Sequence, residues 1–496
     1  MLIQMEGPLF EAVQRARLFP DSKTFVDSVP KTDPKAVLAA FEAERGAPDF
    51  DLAAFVEDHF TLPQPVQEYA SHPLDTSSLE TYIDSLWPRL ERSPEEAQEF
   101  STLIPLKYPY LVPGGRFREI YYWDSYFTFL GMIEAGRFER VEHMVQNLIH
   151  LQDTLGLIPN GNRQYFATRS QPPVLNLMVR LLWDAHYHAE EGGLEHIATY
   201  LPALEREHAY WQGATRAVKL PDGTLLNHYG AGVALPRQES YGEDVALTET
   251  SRQHDDDLYS HLRAGAESGW DFSSRWLREA SSLATIQTEN IAPVDLNCLL
   301  YGLELTLSGF YNLLGNGKAD EYSRLSQKRK AAIQSKCWNA DESYYFDYNW
   351  RTRKQTEVWS LAGVVPLFVK LADKTQAERV KEVMMRDFLK PGGLVTSLHE
   401  TGEQWDSPNG WAPLHWFAVQ GLLNYGFEVE AETVARRWLA MIRTRFDEDK
   451  LLLEKYDVVN LDQKAGGGEY AVQEGFGWTN GVTLKFLKMY PEGASG

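Results

Sequence analysis

From about residue 75 to the C-terminus the chain repeats one pattern. Apolar residues recur at intervals of three and four through Leu79–Leu90, Tyr126–Ala135, Phe138–Leu155, Val174–His188, Leu201–Trp211 and Leu296–Leu314. The same spacing runs through Tyr322–Cys337, Ala377–Phe388, Pro413–Tyr425, Glu430–Arg443 and Trp478–Met489. Each run gives a helix with one apolar stripe, while alternation at period two is rare. Gly136, Gly156, Gly315 and Gly426 fall just past such runs, where helices end in a left-handed residue. So many helices with unequal loops predict an all-α fold, and a toroid of helix pairs accounts for both their number and the chain length.

The first 65 residues differ in texture. Their short helical pieces break at Phe19-Pro20, Val29-Pro30 and Leu62-Pro63. Residues 1–65 therefore read as an extension packed on the main body, and residues 66–496 as the helical toroid.

The formal net charge of −22 argues against nucleic acid and anionic membranes as partners. The most apolar stretch, Leu361 to Val369, is interrupted by Pro366 and is too short to span a bilayer. Two cysteines, Cys298 and Cys337, have no metal-ligand spacing and read as buried, reduced thiols. The N-terminal residues show no basic segment followed by an apolar one. Together these features predict a cytoplasmic location. His186, His188 and His196 match no zinc spacing, and His254 with Asp255 to Asp257 reads as the acidic first turn of a helix. No metal or cofactor is implied.

Four loops depart from the helical pattern. They are Pro113–Phe127 (PGGRFREIYYWDSYF), Glu267–Trp276 (ESGWDFSSRW), Gln404–Pro413 (QWDSPNGWAP), and Glu454–Asp457 (EKYD) with the Gly466–Tyr470 and Gly475–Gly481 segments that follow it. Each sets carboxylates beside aromatic rings. Rings cover the C–H faces of a sugar, and Asp, Glu, Asn and Arg bind its hydroxyl rim. Glycosidic cleavage further needs one protonated and one ionised carboxyl group. Read locally, each loop has a plainer alternative. Asp124 and Asp271 each precede a plausible helix and suit an N-cap, Asp406 suits a turn, and Gly466–Gly468 suits a flexible link.

At these loops the sequence resembles the α,α-trehalases, glycoside hydrolase family 37. Pro113–Phe127 and Gln404–Pro413 are similar to the two family signatures. Asp21–Asp27 (DSKTFVD), Ile158–Gln171 (IPNGNRQYFATRSQ) and Gly466–Val482 add further agreement, so the resemblance covers about residues 15 to 490. It implies an (α/α)6 barrel that hydrolyses trehalose, a small disaccharide, to two glucose molecules with inversion and without a cofactor. It makes Asp271 the general acid and Glu454 the general base. It places substrate contacts on Arg116, Trp123, Asp124, Asn160, Arg169, Ser170, Gln171, Arg237, Glu239, Gly269 and Glu469. Many relatives carry Arg-Pro-Glu where this chain has Arg237-Gln238-Glu239. A monomer is expected. Inversion predicts roughly 6.5–9.5 Å between the two carboxyl groups. Two other readings remain open from the residues alone: a phosphorylase or other disaccharide-cleaving enzyme on the same toroid, and a sugar-binding protein without turnover.

Overall fold

The computed structural model describes residues 2–63, 73–94 and 98–491. Its main body is a double ring of helices. In chain order these are α1 (Leu79–Leu90), α2 (Tyr122–Glu134), α3 (Phe138–Leu155), α4 (Leu175–Ala185), α5 (Leu201–Trp211) and α6 (Val294–Leu313). The second half supplies α7 (Lys318–Lys336), α8 (Val365–Phe368), α9 (Lys374–Val383), α10 (Ala412–Leu423), α11 (Glu428–Asp449) and α12 (Gly477–Met489).

The even-numbered helices form the inner ring. Each packs on the next, α2 on α4, α4 on α6, α6 on α8, α8 on α10 and α10 on α12, and α12 closes the ring against α2. The odd-numbered helices lie outside. This is the all-α (α/α)6 barrel that the helical periodicity and the family resemblance predict. The inner helices are apolar almost all round, as enclosed helices must be; α2 is buried from Tyr122 through Met132. The closest inner contact, α2 with α12, depends on two glycines. A Cβ on Gly131 would lie 2.7 Å from Gly481 Cα, and one on Gly481 would lie 2.2 Å from the carbonyl oxygen of Phe127. No side chain fits there without separating the helices.

The predicted helix ends hold best at Leu79–Leu90, Phe138–Leu155 and Leu201–Trp211. Gly136, Gly156, Gly315 and Gly426 all adopt positive φ. Two runs end earlier than the periodicity suggests. The fourth stops at Ala185, and the run to Phe388 ends as α-helix at Val383, then widens into a π-turn over Met384–Phe388. The first inner helix begins earlier, at Tyr122, so Trp123 and Asp124 sit in its first turn. Strands are two- or three-residue antiparallel pairs among the loops. No helix among the described residues is long and apolar enough to cross a membrane.

Before the barrel lie helices Pro8–Ala16, Lys23–Val26, Pro34–Glu44 and Leu52–His59. Leu9, Phe10, Val13, Phe25, Phe41 and Phe55 form a second apolar cluster here, together with Tyr121, Tyr165 and Phe166 from barrel loops. A buried ionic group ties the two parts. Lys23 Nζ lies 2.6 Å from both Asp27 and Glu119, Arg163 Nε donates to Glu119 at 2.9 Å, and Tyr165 donates to Asp27 at 2.8 Å. Burial alone would raise the Asp27 pKa, but Arg163 and Lys23 hold it down at about 2. The expected division between residues 65 and 66 lies outside the described residues.

Candidate active site

The loops at one mouth of the barrel line a cavity. Of the thirteen residues singled out from the sequence, twelve line it, from Arg116 and Asp124 to Asp271, Glu454 and Glu469. Ser170 does not. It is buried behind the wall, its hydroxyl donating to the Ile158 carbonyl at 2.7 Å and its N–H to Glu267 at 3.0 Å.

Asp271 follows the helix Asp255–Glu267, whose acidic first turn was legible from His254 onward. The cap of the next short helix is Ser273, so Asp271 caps nothing and its carboxyl group faces the cavity. Gly269, at φ +72, lets this loop press on Trp123, because a Cβ there would sit 2.8 Å from the indole. Trp270, Trp405 and Trp411 stack beneath the loop, the last two at 3.9 Å and 1°. The loop is also gripped along its backbone. Gln404 Nε2 donates to the Asp271 carbonyl, and Trp405 N–H donates to that of Phe272 at 3.0 Å. Asp406, fully buried, accepts from Ser273 Oγ, Ser274 N and Oγ, Ser397 Oγ and Thr401 Oγ1 at 2.6–2.9 Å. Asp406 is therefore a clamp across two loops. The turn suggested by Ser-Pro-Asn-Gly after it conceals that role, and the paired serines of the distant Asp271 loop are its only trace in the sequence.

Glu454 enters from a different loop. Its segment is fixed by pairing of Asn409–Gly410 with Tyr456–Asp457 and by Trp478 Nε1, which donates to the Glu454 carbonyl at 2.9 Å. Tyr470 OH donates to Glu454 Oε1 at 2.9 Å. Glu454 Oε2 is buried without a hydrogen-bond partner among the described residues, and buried polar atoms left so are uncommon outside working sites.

The carboxyl groups differ in environment. Desolvation by the ring-lined wall raises Asp271 to about 7, against the pull of Arg237 and with a push from Glu469. Burial also raises Glu454, but Lys455, the Tyr470 hydroxyl and Arg116 all favour its ionised form. Asp124, third residue of α2 and so not its cap, is raised well above the usual range by burial and by the charges of Glu454 and Asp271. Burial would raise Glu239 too, but Arg169, Arg237 and Arg263 bring it below its ordinary value.

Arginines frame the rim. Arg169 pairs with Glu239 at 2.5 Å and lies over Phe166. Arg237 bridges Asp244 at 2.6 Å and Glu469 at 2.8 Å and lies over Phe272. The Arg-Gln-Glu variation at 237–239 thus leaves Arg237 and Glu239 both at the cavity. Arg116 lies over the Tyr470 ring at 4.9 Å and 3.7 Å from Asp21. The glycine run before Glu469 is tied across the opening, Gly466 O accepting from Asn409 and Gly467 O from Lys455. Lys23, Tyr121, Phe476 and Tyr470 also line the cavity and were not singled out from sequence. Lys23 falls within the family-like Asp21–Asp27 motif, which was its one signal in the sequence.

Two carboxyl groups in different electrostatic settings, enclosed by indoles and arginines at the mouth of an (α/α)6 barrel, define a glycoside hydrolase. The trehalase family model matches residues 17–491. The periplasmic trehalase of Escherichia coli (strain K12) is 44% identical over 495 residues, covering 97% of this chain and 86% of that protein. That of Salmonella paratyphi B is 45% identical with 97% and 85% coverage. The chain belongs to the trehalase family. Among solved structures, neutral trehalase Nth1 from Saccharomyces cerevisiae is similar in fold, with a TM-score of 0.66 and 24% identity over 94% of this chain and 86% of that one. A GH63 mannosylglycerate hydrolase from Thermus thermophilus has a TM-score of 0.55 and 18% identity, covering 82% of this chain and 100% of its own.

The relatives correct the expected cytoplasmic location, since those at 44–45% identity are named periplasmic trehalases. The cysteine argument fails for a physical reason. Cys298 and Cys337 are free and buried, and burial raises both thiol pKa values. Protonated, enclosed thiols are inert to oxidants in any compartment.

Proposed function

We propose that this trehalase-family enzyme cleaves trehalose to two glucose molecules with inversion, Asp271 donating the proton and Glu454 activating water. The observation that carries the assignment is that two carboxyl groups with different partners share one cavity. Asp271, raised to about 7, keeps its proton near neutrality and can give it to the bridging oxygen. Glu454 has a cation, a phenol and an arginine favouring its carboxylate, and its Oε2 has no hydrogen-bond partner among the described residues. A water held there would lose a proton to Glu454 as it attacks the anomeric carbon. The departing glucose leaves with the proton of Asp271, and an ionised carboxylate nearby favours the oxocarbenium-like transition state.

Asp124, its proton affinity raised by burial, suits donation to a sugar hydroxyl. Trp123, Asn160, Arg169, Gln171, Arg237, Glu239 and Glu469 supply further wall contacts, and the Gly269 backbone admits close approach. Residues 1–65 act as part of the same unit, because Lys23 reaches the cavity wall. The cavity is complete within one chain, which supports a monomer as the working form.

Glucose release from trehalose, followed by early NMR of the anomers, tests this. Equal α- and β-glucose, without a phosphate requirement, is expected, and Asp271→Asn and Glu454→Gln should each lose most turnover. Exclusive α-glucose, or turnover that needs phosphate and survives Glu454→Gln, would overturn it.

A further inference from the structure

Lys455 is fully buried next to Glu454, yet no carboxylate oxygen among the described residues lies within ion-pair distance of it. Its ammonium donates instead to Gln404 Oε1 at 2.6 Å and to the Gly467 carbonyl at 3.2 Å. It also lies over the faces of Trp411 and Tyr470, at 5.2 and 5.9 Å. A buried cation without a direct counter-ion is costly, so its retention calls for a use.

Gln404 supplies the geometry of that use. The amide that accepts from Lys455 at one end donates from Nε2 to the main-chain carbonyl of Asp271 at the other. A single rigid, buried amide thus joins the segment bearing Glu454 to the loop bearing Asp271. It is flanked by the Trp405–Phe272 backbone bond and by the Asn409–Gly410 pairing with Tyr456–Asp457.

We propose that Lys455 and Gln404 form a positioning pair that sets the separation of Asp271 and Glu454 and keeps one positive charge beside Glu454. The pair rests on the acid and base assignments above. The groups facing each member come from several elements. Lys455 faces Glu454 and Asp271. Glu454 also faces Arg116, Tyr470 and Asp124. Asp271 faces Arg237, Arg169 and Glu469. A cation beside a carboxyl group favours its ionisation, and Lys455 is the leading charge on Glu454. Removing it raises the proton affinity of the base, so the acid limb of activity against pH moves upward.

The test is the pH profile of kcat and kcat/KM on trehalose for the full chain, with Asp271→Asn and Glu454→Gln alongside. Lys455→Met should lower kcat about 100-fold, the scale of a small misplacement of reacting groups, with KM changed little. The acid limb, set by Glu454, should move up by roughly one pH unit. Lys455→Arg keeps the charge and should return that limb to its wild-type position. Gln404→Leu keeps the lysine and should lower kcat without moving the limb. An acid limb that stays in place in Lys455→Met, or that moves equally in Lys455→Arg, overturns the charge role. Wild-type kcat in Gln404→Leu overturns the bridge, and this variant decides the matter if Lys455→Met does not fold. Full turnover in Asp271→Asn or Glu454→Gln would instead remove the assignments beneath the pair.

Discussion

The phenol of Tyr470 donates a 2.9 Å hydrogen bond to Oε1 of Glu454, and the Arg116 guanidinium lies over the same ring at 4.9 Å. Two loops distant in sequence, those of Arg116 and of Glu454 with Tyr470, therefore meet at one carboxylate. A donor to the charged form of an acid lowers its pKa.

Tyr470→Phe removes that donor alone and keeps the ring beneath Arg116. The Glu454 pKa should rise, so the acid limb of kcat/KM moves to higher pH. Below the limb the variant should lose about 10-fold relative to wild type, the scale of one charge-assisted hydrogen bond; above it the loss shrinks. Parallel profiles displaced only in height would show that the phenol does not tune the base.

Asp406→Asn tests the clamp. The substitution keeps shape but replaces two acceptor oxygens with one, leaving donors from Ser273, Ser274, Ser397 and Thr401 in competition. A stability loss of about 2–4 kcal/mol by urea unfolding is expected for a buried charged acceptor. Because the clamp holds the Asp271 loop, kcat should fall more than KM rises. A stable variant with wild-type kcat would reduce Asp406 to the turn residue its local sequence suggests.

The barrel was legible because its helices repeat one physical demand, an apolar stripe at helical spacing, and because glycines stop them. Asp271 between Trp270 and Phe272 pointed to a sugar-binding loop, but locally it read equally as a helix cap, and only the family resemblance picked it out. What stayed hidden were relationships between loops. Ser170 sits in a family-like motif yet points into the wall, Lys23 reaches the cavity from the first thirty residues, and Asp406 and Gln404 act on a loop more than a hundred residues away. Such contacts follow from which loops the closed ring of helices brings to one mouth, and periodicity holds no record of that.

Lys23→Met should be costly although Lys23 lies far from Asp271 in sequence. It leaves Asp27 and Glu119 buried with Arg163 as the principal counter-charge. Removing one partner of a buried pair typically costs about 3–5 kcal/mol. The wild-type cluster should also fail in acid. With its pKa depressed to about 2, Asp27 stabilises the fold above its unfolded value of 3.8 and loses that contribution as pH falls through about 2. Unfolding midpoints of wild type and Lys23→Met between pH 2 and 6 check both points. A difference that does not narrow toward pH 2 would place the effect in packing.

Asp271 carries the opposite sign. The folded protein holds its proton up to about pH 7, whereas the unfolded chain releases it near 3.8. Between those values the folded state binds more protons, so stability falls as pH rises. Asp271→Asn is neutral throughout and escapes that loss. Water reaching Asp271 through the cavity reduces the full effect, leaving about 1–2 kcal/mol gained at pH 8 and none at pH 4. Any packing change made by the amide acts equally at both pH values, so comparing the two Tm differences isolates the titration. A variant that loses turnover while gaining stability only above neutrality would identify a carboxyl group kept protonated for its chemistry at the expense of the fold. Equal Tm differences at pH 4 and 8 would mean that Asp271 ionises normally, and the proton donor would then have to be sought elsewhere in the cavity.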